Sequence, residues 1–281
     1  MPEFPEVNVQ VRYLRQRALG LKVSSYGVRT RQHLKGVEGA EREALIERFF
    51  DGNVIEDITQ RGKQIIMHTP RGVLLSHLMF RGRWTLKSDP FVSNYKYHKD
   101  APRDRDASLW MEGQDGTRLE LHTPEYKAHA LIFEGVRDAS KVEKLAKLGP
   151  EVVSLPETDK AFGTTPWSLE AFTARAAKSR QAIKAFLLDQ KRQSGLGNMY
   201  VCEGLYDAGI SPHRPAKSLQ EAELKAVWQA AQAVMRRAVE TDLNYEEVLR
   251  IYRREADPGG HAVKVDKIGG RDTFWVPEVQ K

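Results

Sequence analysis

The first residues of the chain could do covalent chemistry. Pro2 follows the initiator methionine, and a small second residue permits that methionine to be removed. A terminal amine has a pKa near ~8, below the ~10.4 of lysine, so part of it is unprotonated at neutral pH. A secondary amine that attacks an aldehydic carbon forms an iminium, and Glu3 and Glu6 stand beside it as possible proton donors. The structural alternative is that Pro2 and Pro5 only begin a helix, because proline is favoured in the first turn.

A second unusual segment lies near residue 195. Two glycines one residue apart, Gly195 and Gly197, come directly before Asn198 and a predicted helix. Glycines let the backbone approach another molecule closely, and the free amides at a helix start suit a phosphate. Lys191 and Arg192 precede them, within a window (175–217) that holds eight basic and three acidic side chains. This window indicates either a surface that follows phosphates or an ordinary solvated helix face.

Composition limits the class of protein. The chain has 281 residues, with 41% hydrophobic and 29% charged side chains, which is ordinary for a globular protein with a sizeable core. It has no apolar run long enough for a membrane span, and its N-terminus does not resemble a secretory signal. Cys202 is the single cysteine, which excludes a disulfide framework and a thiolate zinc site. We therefore expect an intracellular protein.

The elements that must position these residues fall into two parts. A helix with apolar residues at helical spacing opens a strand-rich segment, and a second short helix is predicted over 41–50. Short strands are predicted over 64–69, 73–78, 83–86, 109–112, 118–122 and 131–134. The stretch 89–107 is expected to be a solvated loop. A region rich in proline and glycine (149–167) indicates a linker. Helices are predicted over 168–178, 181–190 and 198–207, and the longest over 218–240 with a capping box of Ser218 and Glu221. A hairpin of strands 261–265 and 271–276 closes the chain.

Several motifs together resemble the formamidopyrimidine-DNA glycosylase/endonuclease VIII superfamily. They are, in chain order, Met-Pro-Glu-Phe-Pro-Glu-Val at residues 1–7, Arg-Gly-Lys at 61–63, Leu-Gly-Pro-Glu at 148–151, the Gly-Leu-Gly-Asn segment with Glu203 and Ala-Gly-Ile at 208–210, and Arg-Asp-Thr-Phe-Trp at 271–275. They have the family's order and span nearly the whole chain. The resemblance implies an α+β fold: an N-terminal β-sandwich with an N-terminal helix (1–150), a helix-two-turn-helix domain (168–254) and a β-hairpin (255–281).

The resemblance also implies a bifunctional base-excision enzyme. By analogy, Pro2 attacks C1′ of a flipped, damaged nucleotide as a Schiff-base nucleophile, and Glu3 protonates the sugar ring oxygen. Lys63 corresponds to a strand lysine that contacts phosphate and assists proton transfer, although an ordinary exposed lysine is the alternative. Asn198 corresponds to an asparagine that binds phosphates around the lesion. The partner is then double-stranded DNA with a damaged base or abasic site, bound by a monomer that needs no cofactor and no membrane.

One departure from the family concerns metal. The family usually ends in a zinc finger with two Cys-X-X-Cys pairs, which this chain lacks. Without thiolates a tetrahedral zinc site cannot be assembled, so we expect a zincless finger and no bound metal. Arg271 stands where the finger arginine stands and is predicted to bridge phosphates beside the lesion. A solvated hairpin arginine is the alternative.

Other departures concern the substrate. Met79, Phe80 and Arg81 lie in a segment that resembles the endonuclease VIII loop which fills the gap left by a flipped base. Core packing of Met79 and Phe80 is the alternative. The formamidopyrimidine branch's Asp-Pro-Arg-Arg-Phe-Gly stretch is replaced at residues 123–128, and there is no room between Thr241 and Arg254 for its long loop over an oxidised purine. We therefore expect an endonuclease VIII-like preference for oxidised pyrimidines.

A rival function belongs to another class. The same helical domain could serve a non-catalytic protein that only recognises damaged or abasic DNA. A mere binder has no use for a terminal proline amine, so the joint presence of Pro2, Glu3, Lys63 and Arg271 favours the enzyme. Such an enzyme would be cytoplasmic and associated with the nucleoid if bacterial, and otherwise located with DNA inside the cell.

Overall fold

The structure is a computed structural model that describes residues 2–29, 34–35, 40–124, 127–162 and 167–281. Sequence predictions that involve Met1, residues 125–126 or residues 163–166 lie outside this part. The chain forms two compact units. The first contains Pro2, residues 6–146 and residues 155–162, and the second contains residues 3–5, 147–154 and 167–281. None of the described helices has the length and apolar character needed to span a bilayer.

The N-terminal helix forms as its spacing predicts. Helix α1 (Phe4–Ala18) buries Val7, Val11, Leu14 and Ala18 completely, because positions three to four apart share one face of a helix. Helix α2 (Ala40–Phe50) is the second predicted helix of the first unit.

Two sheets make up most of the first unit. Four strands pair in the order β1-β7-β8-β6, and five pair in the order β2-β9-β5-β4-β3. Apart from the parallel β2–β9 pair, neighbouring strands are antiparallel. The strands are β1 (Val23–Val28), β2 (Leu34–Lys35), β3 (Asp57–Arg61), β4 (Gln64–Thr69), β5 (Gly72–His77), β6 (Arg83–Leu86), β7 (Ala107–Gly113), β8 (Arg118–His122) and β9 (His129–Glu134).

The stretch 89–107 differs from its prediction. It is irregular apart from a short 3-10 turn (Asp104–Asp106), but Phe91, Tyr95 and His98 are buried in it. The buried guanidinium of Arg83 donates to the carbonyls of Phe91 and Asp100, at 3.0 and 2.7 Å. The prediction of a solvated loop is therefore wrong for this apolar part, because scattered aromatic residues do not reveal a core of their own in a polar sequence.

Helices dominate the second unit. They are α4 (Leu169–Ala176), α5 (Ile183–Leu187), α6 (Asn198–Asp207), α7 (Glu221–Glu240) and α8 (Tyr245–Val248), while the short α3 (Glu143–Ala146) belongs to the first unit. The predicted cap of α7 is wrong. Ser218 lies in a 3-10 turn and donates to the carbonyl of Pro215, whereas Gln220 precedes the helix and its amide donates to the side chain of Glu223.

The C-terminal hairpin consists of β10 (Lys264–Ile268) and β11 (Arg271–Trp275). Its first strand begins three residues later than predicted, since residues 261–263 bond back to the preceding loop: the amide of Val263 donates to the carbonyl of Glu255. Gly269 and Gly270 form the turn with φ of 59° and 72°, as a two-residue hairpin turn requires. The predicted α+β fold class is confirmed.

Candidate active site

The side chain of Glu3 is buried, with 5% of its surface exposed. Its two carboxylate oxygens accept hydrogen bonds from the main-chain amides of Met199 and Tyr200, at 3.0 and 3.4 Å. These amides belong to the first turn of α6, where free N–H groups and the helix dipole favour a negative charge. The helix start therefore fixes the position of the Glu3 carboxylate.

The two glycines let the N-terminal segment approach α6. Gly195 has a φ of +97° and lies against the ring of Phe4, whose amide donates to the Gly195 carbonyl. Any side chain on Gly197 would overlap the Glu3 carboxyl group. We expected the amides at this helix start to bind a phosphate, and for the amides of Met199 and Tyr200 that expectation is corrected, because Glu3 occupies them.

Pro2 and Glu6 flank this position in sequence. Pro2 is buried and lies two residues before the start of α1, and Glu6 lies in the first turn of that helix with 3% of its surface exposed. Pro2 is next to Glu3 along the chain, so the residue after the predicted nucleophile is the one held by α6. The nucleophilic role of Pro2 requires a free amine, which depends on the removal of Met1.

Lys63 lies in the tight turn that joins β3 to β4. Gly62 precedes it with a φ of 57°, and the pair of Arg61 and Gln64 closes the turn. Lys63 is largely buried, with 9% of its surface exposed, so the alternative of an ordinary exposed lysine does not describe it. Its positive charge is one of the causes that lower the pKa of His77, after burial and the neighbouring His129.

Asn198 contacts the second strand of the hairpin. The amide group of Asn198 donates to the carbonyl of Asp272 at 2.8 Å, directly after Arg271 in β11. Arg271 itself is exposed. Asn198 and Arg271, both predicted to bind phosphate, are thus linked through Asp272, the residue after Arg271.

The sequence did not reveal one residue that supports the strand carrying Arg271. Lys184 was counted among the surface charges, but it is completely buried. Its ammonium donates to the carbonyl of Asp272 at 2.9 Å and to the hydroxyl of Thr273 at 2.6 Å. Burial lowers its pKa. A lysine in an amphipathic segment gave no signal for this role.

Some basic side chains of the window 175–217 form ion pairs with acidic residues. Arg192 pairs with Asp189 at 3.0 Å and Arg214 pairs with Glu223 at 2.6 Å. Five of its eight basic side chains are exposed: Arg175, Lys178, Arg180, Lys191 and Lys217. Lys191 is therefore available at the surface, next to the glycine segment.

Two further contacts support the hairpin and the loop before it. His213, in the turn after α6, pairs with Asp266 at 2.9 Å, and the indole of Trp275 donates to the same carboxylate at 2.7 Å. The buried carboxylate of Glu203 accepts the amides of residues 250–252 at 2.7–3.0 Å. Glu203 was noted as part of a motif, but the sequence did not show what it holds.

Residues 79–82 form a turn that hydrogen bonds hold in place, and we call it the wedge loop. Met79 has a positive φ of 51°, and its amide donates to the imidazole of His77 at 3.0 Å. The amide of Gly82 donates to the carbonyl of Leu78 at 2.9 Å. Phe80 is 39% exposed and Met79 is half-buried, so core packing does not account for them.

Within the described ranges, no group of three or more histidine, cysteine, aspartate or glutamate side chains could hold a metal ion. The zincless finger stays a prediction.

Comparison with known families covers most of the chain. Residues 1–141 match the formamidopyrimidine-DNA glycosylase N-terminal domain, residues 162–248 the H2TH domain of that enzyme, and residues 242–281 its C-terminal domain. Formamidopyrimidine-DNA glycosylase of Streptococcus mutans is 29% identical over 303 aligned positions, covering all of both chains. That of Streptococcus pneumoniae is 28% identical, covering all of this chain and 99% of the relative.

Solved structures agree in fold. Lactococcus lactis Fpg bound non-covalently to DNA containing an abasic site superposes with a TM-score of 0.81 at 24% identity, covering all of both chains. MutM in complex with DNA containing carbocyclic 8-oxo-G has a TM-score of 0.80 at 25% identity, with the same coverage. The matched domains account for the N-terminal segment, the helical domain and the hairpin described above. The chain is therefore a DNA glycosylase that belongs to the formamidopyrimidine-DNA glycosylase family.

Proposed function

We propose that this chain is a bifunctional base-excision enzyme that removes an oxidised base and then cleaves the abasic site. Its partner is double-stranded DNA with a damaged base or an abasic site, and it acts where the cell keeps its DNA. The observation that carries the proposal is the Glu3 carboxylate, which two amides of α6 hold in place next to a potential N-terminal amine. A protein that only bound DNA would not need this arrangement.

The first half of the reaction uses Pro2 and Glu3. The Pro2 nitrogen attacks C1′ of the damaged nucleotide and gives up its N–H proton. The N-glycosidic bond breaks with its electron pair leaving on the base, which takes up a proton. Glu3 protonates the ring oxygen, so the sugar opens and C1′ becomes part of an iminium. The α6 amides keep the carboxyl group oriented for this transfer.

The second half is elimination. The iminium acidifies C2′, and loss of that proton expels the 3′ phosphate. A further proton loss from C4′ expels the 5′ phosphate, which completes β,δ-elimination. Lys63 assists a proton transfer and contacts phosphate, and its constrained turn and partial burial suit a defined position better than a mobile surface charge.

Phosphate binding falls to Asn198 and Arg271, with Lys191 and the Gly197 segment as further DNA contacts. The hydrogen bond from Asn198 to the carbonyl of Asp272 connects the start of α6 to the strand that carries Arg271. An exposed arginine can give a phosphate two parallel donors. Glu6 supports the N-terminal segment from the first turn of α1.

Oxidised pyrimidines are the favoured substrates. Met79, Phe80 and Arg81 fill the gap left by the flipped base, and the exposure of Phe80 leaves it available for that contact. Lactococcus lactis Fpg, which shares the fold, has been crystallised with DNA that contains an oxidised pyrimidine.

Borohydride trapping on a panel of damaged oligonucleotides tests the proposal. Borohydride reduces the iminium, so the active protein should become covalently linked to DNA that carries a substrate lesion. A chain with an extra residue before Pro2 that is not removed is the matched control, since its proline nitrogen is an amide. If the wild-type chain binds abasic DNA but neither traps nor cleaves it, the non-catalytic alternative is correct.

A further inference from the structure

A loop of the first unit carries aromatic residues that the mechanism does not use. The stretch 89–106, which we call the aromatic loop, lies between β6 and β7. Phe80 and Val92 are two of the four large apolar side chains that are exposed in the described residues. One belongs to the wedge loop and the other to the aromatic loop. Both loops therefore present apolar surface.

The aromatic loop is held firmly. The rings of Phe91 and Tyr95 pack edge-on against His98, at 5.7 and 5.0 Å between centroids, and all three side chains are buried. The amide of Phe91 donates to the hydroxyl of Thr85 at 2.6 Å. A loop with its own core and main-chain anchors keeps its surface residues in fixed positions.

The two loops are also joined to each other. The hydroxyl of Tyr95, in the aromatic loop, donates to the carbonyl of Phe80, in the wedge loop, at 3.3 Å. The ring of Tyr97, which is half-buried, lies 5.6 Å from the ring of Phe80. Tyr97 thus extends the surface of the wedge residue.

Positive charges surround these rings. The guanidinium of Arg81 lies 4.6 Å from the centre of the Tyr97 ring, and the ammonium of Lys96 lies 4.5 Å from it. Lys127 lies 5.8 Å from the centre of the Phe80 ring. Aromatic rings next to cations suit unstacked nucleobases, because the rings stack on bases while the cations attract the adjoining phosphates.

We propose that Tyr97 and Phe80 together form a stacking surface for the orphan base, the base that loses its partner when the damaged nucleotide is flipped. This inference rests on the proposed function. Phe80 fills the gap, and Tyr97 gives the orphan base an aromatic face beside it. Tyr97 is then a residue that determines opposite-base discrimination, and it takes no part in bond breaking.

Binding measurements with a stable abasic analogue test this without relying on catalysis. One duplex places tetrahydrofuran opposite adenine, and a second places tetrahydrofuran on both strands, so that it has no orphan base. The wild-type chain should bind the first duplex more tightly. Tyr97→Ala should lose roughly tenfold or more of that preference, since stacking on one aromatic ring is typically worth about that much.

Two substitutions and one control make the result specific. Tyr97→Phe should keep the preference, and Tyr97→Leu, which keeps bulk in the loop, should lose it. Tyr26, a half-buried tyrosine of β1 that packs on Phe50, provides Tyr26→Ala as the control with unchanged preference. With 2-aminopurine as the orphan base, quenching on binding should also be weaker for Tyr97→Ala than for the wild type.

An unchanged preference in both Tyr97→Ala and Tyr97→Leu would overturn the inference. An equal loss in Tyr97→Phe would also overturn it, because the ring would then not be the feature that matters. Failure of the proposed function would look different: the wild-type chain would not trap with borohydride, whatever its orphan-base preference.

Discussion

The carboxyl carbon of Glu3 lies 2.2 Å from the point where a Cβ atom on Gly197 would sit. Real side chains do not approach that closely, so the position of Glu3 depends on a residue almost two hundred places away that has no side chain. The glycine before α6 is therefore required by the Glu3 carboxylate, for which we propose a catalytic role, as well as by the local backbone.

Replacing Gly197 by alanine should displace Glu3 while the fold is kept. Misplacing a catalytic group by about 1 Å can cost up to ~100-fold, so we expect excision of a damaged base to fall by that order. Single-turnover rates and circular dichroism measure the two effects. Gly20→Ala places its Cβ in open space at a positive φ and controls for the general loss of a glycine. Wild-type excision by Gly197→Ala would contradict the role of this contact.

Glu3→Gln and Pro2→Gly should separate the two steps of the reaction. Glutamine cannot protonate the ring oxygen, so excision of an intact lesion should collapse, whereas a preformed abasic site, already partly ring-opened, should still be cleaved. Pro2→Gly keeps a terminal primary amine and should keep some iminium chemistry. Single-turnover rates on both substrates decide this. Equal loss of both activities in Glu3→Gln would remove its role as the ring-opening acid.

Arg271→Ala and Asn198→Ala should each weaken DNA binding by about 1.5–3 kcal/mol, the value of a hydrogen bond to a charged group. For Arg271→Ala the salt dependence of binding should also fall by a slope of about one, because one phosphate contact is lost. Arg271→Ala should harm excision more, because we place it beside the lesion. Lys264→Ala removes an exposed charge from the same hairpin and serves as the control. Excision at the wild-type rate by Arg271→Ala would withdraw its assignment.

Treatment with a strong zinc chelator should leave DNA binding and cleavage unchanged. The hairpin is held by hydrogen bonds from Lys184, by the contact of His213 with Asp266 and by packing of Phe274 against a buried apolar cluster, and none of these described contacts requires a metal. Elemental analysis before and after treatment is the measurement. One tightly held zinc ion per chain would show that residues 255–281 have been misread.

Acid should destabilise the protein through His98. Burial, with help from the charge of Arg83, lowers the pKa of His98 from 6.5 to about 3. Between pH 6.5 and pH 3 His98 is protonated in the unfolded chain but not in the folded chain. The contribution of His98 to the free energy of unfolding is therefore fully present above pH 6.5 and is lost as the pH falls toward 3. At pH 4.5, two units below the unfolded pKa, this loss amounts to about 3 kcal/mol of the free energy of unfolding.

Urea unfolding at pH 7 and pH 4.5 checks this expectation. In His98→Gln the fall between the two pH values should be smaller than in the wild type, since the titrating group is gone. His261→Gln changes an exposed histidine and should leave the wild-type fall in place. The same fall in His98→Gln would contradict the assignment.

The sequence predicted best where a pattern is local. The helical spacing of Val7, Val11 and Leu14 predicted α1, and β4, β6, β8 and α6 begin and end where their patterns indicate. Strands β1 and β3 were missed because their runs are short and polar, and partners distant in sequence stabilise them: β1 pairs with β7.

In the candidate site, too, local motifs could be predicted, whereas contacts between residues distant in sequence could not. Motifs identified Glu3 and Gly197 separately, but no spacing rule shows that one fills the place of the other's missing side chain. Lys184 gave no signal because its burial depends on Asp272 and Thr273, almost ninety residues later. Charge alone cannot distinguish a lysine that holds a carbonyl from one that faces water.

The burial of Cys202 bears on the conditions under which such an enzyme works. Its thiol is 1% exposed, and burial raises its pKa to about 12, so almost none of it is the thiolate that peroxide attacks. A finger built on zinc thiolates offers oxidants four reactive sulfur atoms at the point of DNA contact. This chain offers none there. We therefore expect the hairpin to lose nothing through thiol oxidation, and the proposed repair activity to persist during an oxidative burst.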